Sequence, residues 1–166
     1  MRHRRGPFLL GPIFAVQGWR DSPFDLYPAG GRYMWRELER LSAQEGLGWR
    51  RPRGFPRNRL LAARAALLGE TEGWGIAFSK AVFAANFAGD REIAAPEVLG
   101  GLLRALGLDS EDILARAQSP ANKEALRQRN AAAERLGIFG APTFQVEEEI
   151  FWGHDRLDQA LARTRR

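Results

Sequence analysis

The sequence predicts an α/β protein in which a long helical middle separates a short N-terminal strand from a β-hairpin and a final helix. Apolar residues recur at helical spacing from residue 32 to residue 137, and strand-like residues replace them after Ile138. The length of 166 residues suits about one domain. Apolar residues make up 45% of the chain and charged residues 27%, which excludes a disordered or collagen-like protein.

The N-terminal elements are a strand and a loop. Residues 7–10 (PFLL) form an apolar run between two glycines, which predicts a short buried strand. Residues 18–31 are rich in Gly, Pro, Asp and Ser and predict a long irregular loop. The basic start followed by an apolar run imitates a secretory signal, but Gly11 and Pro12 interrupt the run and no cleavage motif follows.

Six helices are predicted in the middle of the chain, each from apolar residues at helical spacing and from residues that favour a helix start or end. They are the helix with Met34, Leu38 and Leu41, the helix from Leu60 to Leu68, the helix from about Trp74 to Phe87, the helix from Pro96 to Leu106, a short helix capped by Asp109, and the helix from Ser119 to Leu136.

A hairpin and a last helix complete the chain. Residues 143–146 and 150–152 are strand-like, and Glu147 and Glu148 between them suit a tight polar turn. A final amphipathic helix follows from Asp155. The predicted order is therefore strand, helices, hairpin, helix.

The ends of the hairpin carry the residues with the clearest chemistry. A cis Ala141-Pro142 bond would turn the Ala141 peptide outward and leave its N–H and C=O free for an extended ligand. Where the chain enters the last helix at Gly153-His154-Asp155, unpaired N–H groups would hold a carboxylate and Asp155 an ammonium. A zwitterionic tripeptide fits both ends. The residues alone favour the simpler alternative of a trans-proline turn and an aspartate N-cap.

Five segments resemble the 2-hydroxychromene-2-carboxylate isomerase family, which is related to kappa-class glutathione transferases and DsbA-like proteins. The segments are PFLLGPIFAVQGW, GRYMWRELERL, FPRNRLLAARAAL, GIFGAPTF and FWGHDRLDQAL, in chain order. The resemblance implies an α/β, thioredoxin-like domain (residues 1–24 and 137–166) with a large all-helical insertion (residues 25–136). It also implies that the first strand and helix of the fold are lacking, so that the thioredoxin-like domain is incomplete.

The resemblance implies glutathione as the cofactor. Ala141 and Pro142 would contact its cysteinyl part, while Trp152, Gly153, His154 and Asp155 would hold its γ-glutamyl end. The resemblance also implies Asn58 as a glutathione contact and Phe14 and Trp19 as substrate contacts. Independently of the family, the charge of Arg57 would attract an anionic aromatic substrate, although an exposed arginine at a helix start is more often only solvated.

One departure from the family concerns the thiol. The family has an Asp-Phe-x-Ser-Pro-type segment whose Ser hydrogen-bonds the glutathione thiol, and this sequence begins at Met1 after the place of that segment. No catalytic residue is therefore assigned, although a thiolate needs a donor or a positive charge nearby. We expect the chain as given to be poorly folded or inactive alone, and restoration of the preceding codons to rescue it.

The leading functional interpretation is a glutathione-dependent cis-trans isomerase acting on intermediates of aromatic catabolism. The alternatives are a kappa-like glutathione transferase and a non-catalytic glutathione-binding remnant. The absence of Cys excludes DsbA-type redox chemistry, and with two His it makes a metal site improbable.

The remaining expectations concern partners and location. Basic residues cluster only at the termini, so no nucleic-acid partner is expected. No apolar stretch is long enough to span a membrane, and we expect a cytoplasmic protein. Family members are often dimers, so the resemblance allows a homodimer.

Overall fold

A computed structural model describes residues 6–18 and 26–164. Within these ranges the secondary structure is mainly helical, with one two-stranded sheet near the C-terminus. The elements are α1 (Leu10–Val16), α2 (Pro28–Gln44), α3 (Leu60–Glu72), α4 (Gly75–Phe87), α5 (Pro96–Ala105), α6 (Ser110–Ala117), α7 (Pro120–Arg135), β1 (Thr143–Val146), β2 (Glu149–Trp152), a 3-10 turn (His154–Arg156) and α8 (Leu157–Arg163).

The six helices predicted in the middle of the chain are confirmed, and short-range interactions explain where several of them begin. Proline occupies the first turn of α2, α5 and α7, where its missing N–H costs no hydrogen bond. The Asp109 carboxylate accepts hydrogen bonds from the N–H groups of Glu111 and Asp112 and caps α6. The helix starts thus depend on residues close together in sequence.

Helices α3 to α6 enclose the main hydrophobic core. Phe78, Leu99 and Leu103 are its largest fully buried side chains. Gly69 and Gly75 let α3 and α4 approach closely, because a Cβ on Gly69 would lie 2.6 Å from the Cα of Gly75. The core therefore combines large side chains with a helix pair held at short distance.

The strand predicted at residues 7–10 is wrong. Residues 6–9 form no strand, and α1 begins at Leu10. A strand needs a neighbour for its backbone groups, and the described residues contain no strand beside this segment. The N–H of Leu9 instead donates to Asn130 Oδ1 of α7 (3.0 Å), and the spacing of Leu10, Ile13 and Phe14 also suits a helix, with Ile13 buried.

The predicted loop over residues 18–31 is also partly wrong, because α2 already begins at Pro28. Residues 19–25 of that loop lie outside the described ranges.

The hairpin is confirmed. Strands β1 and β2 pair antiparallel, with Thr143 opposite Trp152 and Val146 opposite Glu149. Helix α8 packs on both strands, and Val146 and Ala160 are buried. This arrangement places the loop before β1 next to the turn after β2. The division into residues 1–24, 25–136 and 137–166 stays a prediction.

Among the residues that the structure describes, no helix is both long and apolar enough to cross a membrane.

Candidate functional site

Ala141 offers an unpaired backbone next to the hairpin. The Ala141-Pro142 bond is cis, as predicted, and both residues are exposed. Within residues 6–18 and 26–164, neither the N–H nor the C=O of Ala141 has a hydrogen-bond partner. The C=O of Pro142 accepts a hydrogen bond from the N–H of Gly153 (3.0 Å). This bond ties the exposed peptide of Ala141 to the turn that follows β2.

Trp152 forms an aromatic wall beside this loop. Its side chain is 54% exposed, and its ring makes an edge contact with Phe139 at 5.0 Å between centroids. The indole lies directly against Gly140, where a Cβ would overlap its Nε1 atom. Trp152 can adopt this position only because Gly140 has no side chain.

Phe139 and Gly140 were not among the predicted site residues. Both lie within the segment GIFGAPTF, immediately before Ala141. The glycine directly before Ala-Pro could have drawn attention to Gly140. That the Trp152 indole lies against it follows only from the register of β1 and β2.

Gly153, His154 and Asp155 form a polar turn next to Trp152. Gly153 has φ +112°, a conformation that favours glycine. A Cβ on it would lie 2.5 Å from Asp155 Oδ1, so the carboxylate folds back over this glycine. Asp155 is exposed and pairs with the Arg156 guanidinium only at 3.6 Å. The competing interpretation of Asp155 as an N-cap is wrong, because the structure places it within the 3-10 turn, where no side chain caps the helical segment.

The turn leaves N–H groups available. Among the described residues, the N–H groups of His154 and Asp155 have no hydrogen-bond partner, while that of Arg156 donates to the C=O of Gly153 (3.2 Å). The 3-10 turn and α8 together are short, so these N–H groups rather than a helix dipole are what an anion would meet. The site therefore presents donors and the Asp155 carboxylate side by side.

The other predicted contacts lie on different elements. Asn58 is exposed before α3, where its Oδ1 accepts the N–H of Leu60 (2.9 Å) and its amide N–H groups remain available. Phe14 is half-buried on α1. Trp19 lies outside the described residues.

Arg57 is buried and paired within the helical part, and its predicted attraction of an anionic substrate stays a prediction. Its side chain is 7% exposed, and its guanidinium lies 2.5 Å from Asp90 Oδ1, 2.8 Å from Asn86 Oδ1 and 3.4 Å from Glu92 Oε2. The backbone N–H of Arg53, together with the guanidinium groups of Arg57 and Arg53, holds the pKa of Asp90 well below its usual range. Arg57 is therefore a structural residue of the helical part.

Sequence comparison decides the family. The family described as "DSBA-like thioredoxin domain" matches residues 6–164. This chain belongs to that family. Its membership and the observed hairpin with its helices confirm the predicted α/β, thioredoxin-like fold with a helical insertion.

Comparison with an individual protein supports the predicted resemblance to the 2-hydroxychromene-2-carboxylate isomerase family. A 2-hydroxychromene-2-carboxylate isomerase from Sphingobium xenophagum is 40% identical over 60 residues, which are 36% of this chain and 31% of that relative. The match thus spans about a third of the relative's length. It confirms the predicted resemblance.

Solved structures establish the similarity of fold. The structure of a selenomethionine 2-hydroxychromene-2-carboxylate isomerase superposes with a TM-score of 0.83 at 22% identity, covering 97% of this chain and 80% of the other. A probable DsbA oxidoreductase from Streptomyces coelicolor superposes with a TM-score of 0.66 at 24% identity, covering 94% and 68%. At these identities the superpositions show the fold alone.

Proposed function

We propose that this DsbA-like protein is a glutathione-dependent isomerase that acts on an anionic aromatic substrate. The observation that carries the proposal is the exposed Ala141 peptide, whose two polar atoms have no partner among the described residues and lie beside the donors and carboxylate of residues 153–155. The similarity to a 2-hydroxychromene-2-carboxylate isomerase supplies the reaction class.

The chemistry of these residues fits glutathione. An extended peptide would pair its own N–H and C=O with those of Ala141, as a strand pairs at the edge of a sheet. The unpaired N–H groups of His154 and Asp155 suit a carboxylate, and the exposed Asp155 carboxylate suits an ammonium group. A γ-glutamyl group carries both charges on one carbon, so a single turn would recognise it.

The aromatic wall has a separate role in the proposal. Trp152 and Phe139 would cover one side of the bound tripeptide and reduce the access of water to its thiol. Bound glutathione would supply a thiolate that adds reversibly to the conjugated substrate, so that the intervening bond can rotate before elimination. The residues of this chain would bind and orient both molecules.

A non-catalytic glutathione-binding protein is the second candidate, and the environment of Thr143 favours it. The hydroxyl of Thr143 lies close to the Ala141 loop, but it donates a hydrogen bond to the C=O of Gly140 (2.8 Å). It therefore offers no free donor to stabilise a thiolate.

Titration calorimetry with glutathione tests the binding half of the proposal. We expect Asp155→Asn to weaken glutathione binding by about tenfold, because it removes a charge-assisted hydrogen bond to the ammonium group. Asp158→Asn is the matched control, since Asp158 is an equally charged, exposed residue on α8 and should bind glutathione as the unmodified chain does. Undetectable glutathione binding by the unmodified chain would refute both candidate functions.

A spectrophotometric assay tests the reaction. The absorbance of 2-hydroxychromene-2-carboxylate is followed with and without glutathione, and in parallel the conjugation of a chloronitrobenzene is measured. Isomerisation that depends on glutathione supports the proposal, whereas conjugation alone identifies a transferase. Glutathione binding without either reaction identifies the second candidate.

A further inference from the structure

A cavity of about 380 Å³ lies outside the site at Ala141. It is lined by Trp35 of α2 and by Arg51, Pro52, Arg53 and Phe55 of the segment between α2 and α3. Its volume falls within the range of small-molecule sites, roughly 300–1,000 Å³. The lining combines two aromatic rings, a proline and two guanidinium groups, and none of its described residues is acidic.

The aromatic side of the cavity is held in place by a series of ring contacts. Trp35 and Phe55 meet edge to face at 4.7 Å between centroids. Trp35 also contacts Trp49 at 6.0 Å, and Trp49 stacks on Phe87 of α4 at 5.8 Å. These contacts connect the cavity wall to the helical core, so the wall is positioned before any ligand arrives.

The guanidinium groups give the cavity a positive charge. Arg51 lies over the Trp35 ring at 4.9 Å from its centroid, and no carboxylate of the described chain pairs with it. Arg53 donates its Nε–H to Asp90 Oδ2 (2.6 Å), but its side chain remains 88% exposed. Asp90 and Glu92 both pair with the buried Arg57, so Arg51 is the guanidinium of the cavity to which the described residues supply no carboxylate.

We infer that this cavity binds a flat aromatic carboxylate, with Arg51 as the main partner of the carboxylate. A guanidinium matches a carboxylate with two parallel hydrogen bonds, and flat aromatic surfaces suit a flat ring. This inference concerns a site separate from the one at Ala141 and does not depend on the proposed function.

Titration calorimetry with two probes tests the inference in the absence of glutathione. The probes are 2-naphthoate and 2-naphthalenemethanol, which share the aromatic ring and differ in charge. We expect 2-naphthoate to bind the full chain about tenfold more tightly than the alcohol, because only the carboxylate pairs with Arg51.

Two arginine variants locate the site. We expect Arg51→Gln to remove most of the preference for 2-naphthoate, whereas Arg50→Gln keeps it, because Arg50 carries the same charge one residue away but does not line the cavity. Arg51 has no carboxylate partner to lose among residues 6–18 and 26–164, so its replacement should not unfold the chain. Equal affinities for the two probes, or equal effects of the two variants, would overturn the inference.

The assays also separate this inference from the proposed function. If glutathione binds but 2-naphthoate and 2-naphthalenemethanol bind equally, only the cavity assignment fails. If 2-naphthoate binds through Arg51 while glutathione does not bind, the proposed function fails and the cavity remains. Support for both requires that glutathione binds and that Arg51→Gln removes the preference for 2-naphthoate without changing the glutathione affinity.

Discussion

The buried side chains of Asp90 and Asn122 in the helical part and the exposed Ala141 peptide at the hairpin end have opposite environments. In the helical part the Asp90 carboxylate receives hydrogen bonds from Arg53 and Arg57, and the Asn122 side chain donates to the C=O groups of Arg64 and Ala117. At the hairpin end the Ala141 peptide is exposed without a partner among the described residues. Asp90 and Asn122 are thus engaged within the protein, whereas the Ala141 peptide is available to a ligand.

This difference separates stability from binding. A buried polar group must find a partner inside the protein, and a ligand cannot reach it unless the surrounding side chains move. An exposed group is solvated by water and can exchange that water for a ligand. Asp90 and Asp155 illustrate the contrast, since one carboxylate stabilises the helical part and the other remains open to solvent.

The largest effect is expected from a substitution in the core of the helical part, at a distance from the hairpin in the sequence. Phe78→Ala should lower the free energy of unfolding by about 3–5 kcal/mol, because it opens a cavity in the core. Phe83→Ala on the same helix should cost less than about 1 kcal/mol, since Phe83 is 61% exposed. Urea unfolding measures both values, and equal losses for the two variants would contradict the assignment of the core.

A smaller effect is expected at the hairpin end, where binding should suffer more than stability. Gly140→Ala introduces a methyl group where the Trp152 indole lies and should lower the free energy of unfolding by about 1–3 kcal/mol while weakening glutathione binding severalfold. Gly11→Ala is the control, because a Cβ on Gly11 meets no atom within 4 Å. Thermal unfolding and calorimetry measure the two effects. Unchanged glutathione affinity in Gly140→Ala would show that the position of Trp152 does not matter for glutathione binding.

The smallest effect appears only in acid. The pKa of Asp90 is lowered in the folded state, so its contribution to stability is complete above the unfolded-state pKa of about 4 and is lost as pH falls below it. The lowered pKa values of Glu72, beside Arg116 and Trp74, and of Glu124, beside Arg127, act in the same direction. Urea unfolding between pH 7 and pH 3 should therefore show falling stability.

Asp90→Asn tests the origin of that acid dependence. The variant should be less stable at neutral pH, and its stability should change less steeply between pH 4 and pH 3. An unchanged slope would show that Asp90 makes no such contribution.

Elements that depend on neighbouring residues were predicted correctly. Pro96 and Pro120 mark helix starts, Asp109 caps α6, and Glu147-Glu148 forms the hairpin turn, because each signal acts over a few residues. The prediction of a strand at residues 7–10 was wrong because that element depends on distant residues. An apolar run becomes a strand only beside another strand, and Leu9 instead meets Asn130, which is 121 positions away in the sequence.

The candidate site divides in the same way. The family resemblance singled out Ala141, Pro142 and residues 152–155 as expected glutathione contacts, and their role stays a prediction. The hairpin itself, which brings its two ends together, was predictable from local sequence. Only the tertiary structure decided that Arg57 is buried against Asp90 and that Arg51 and Phe55 form a cavity with Trp35. Those contacts join residues far apart in the chain, and the packing of whole helices rather than any local pattern determines which charges are neutralised.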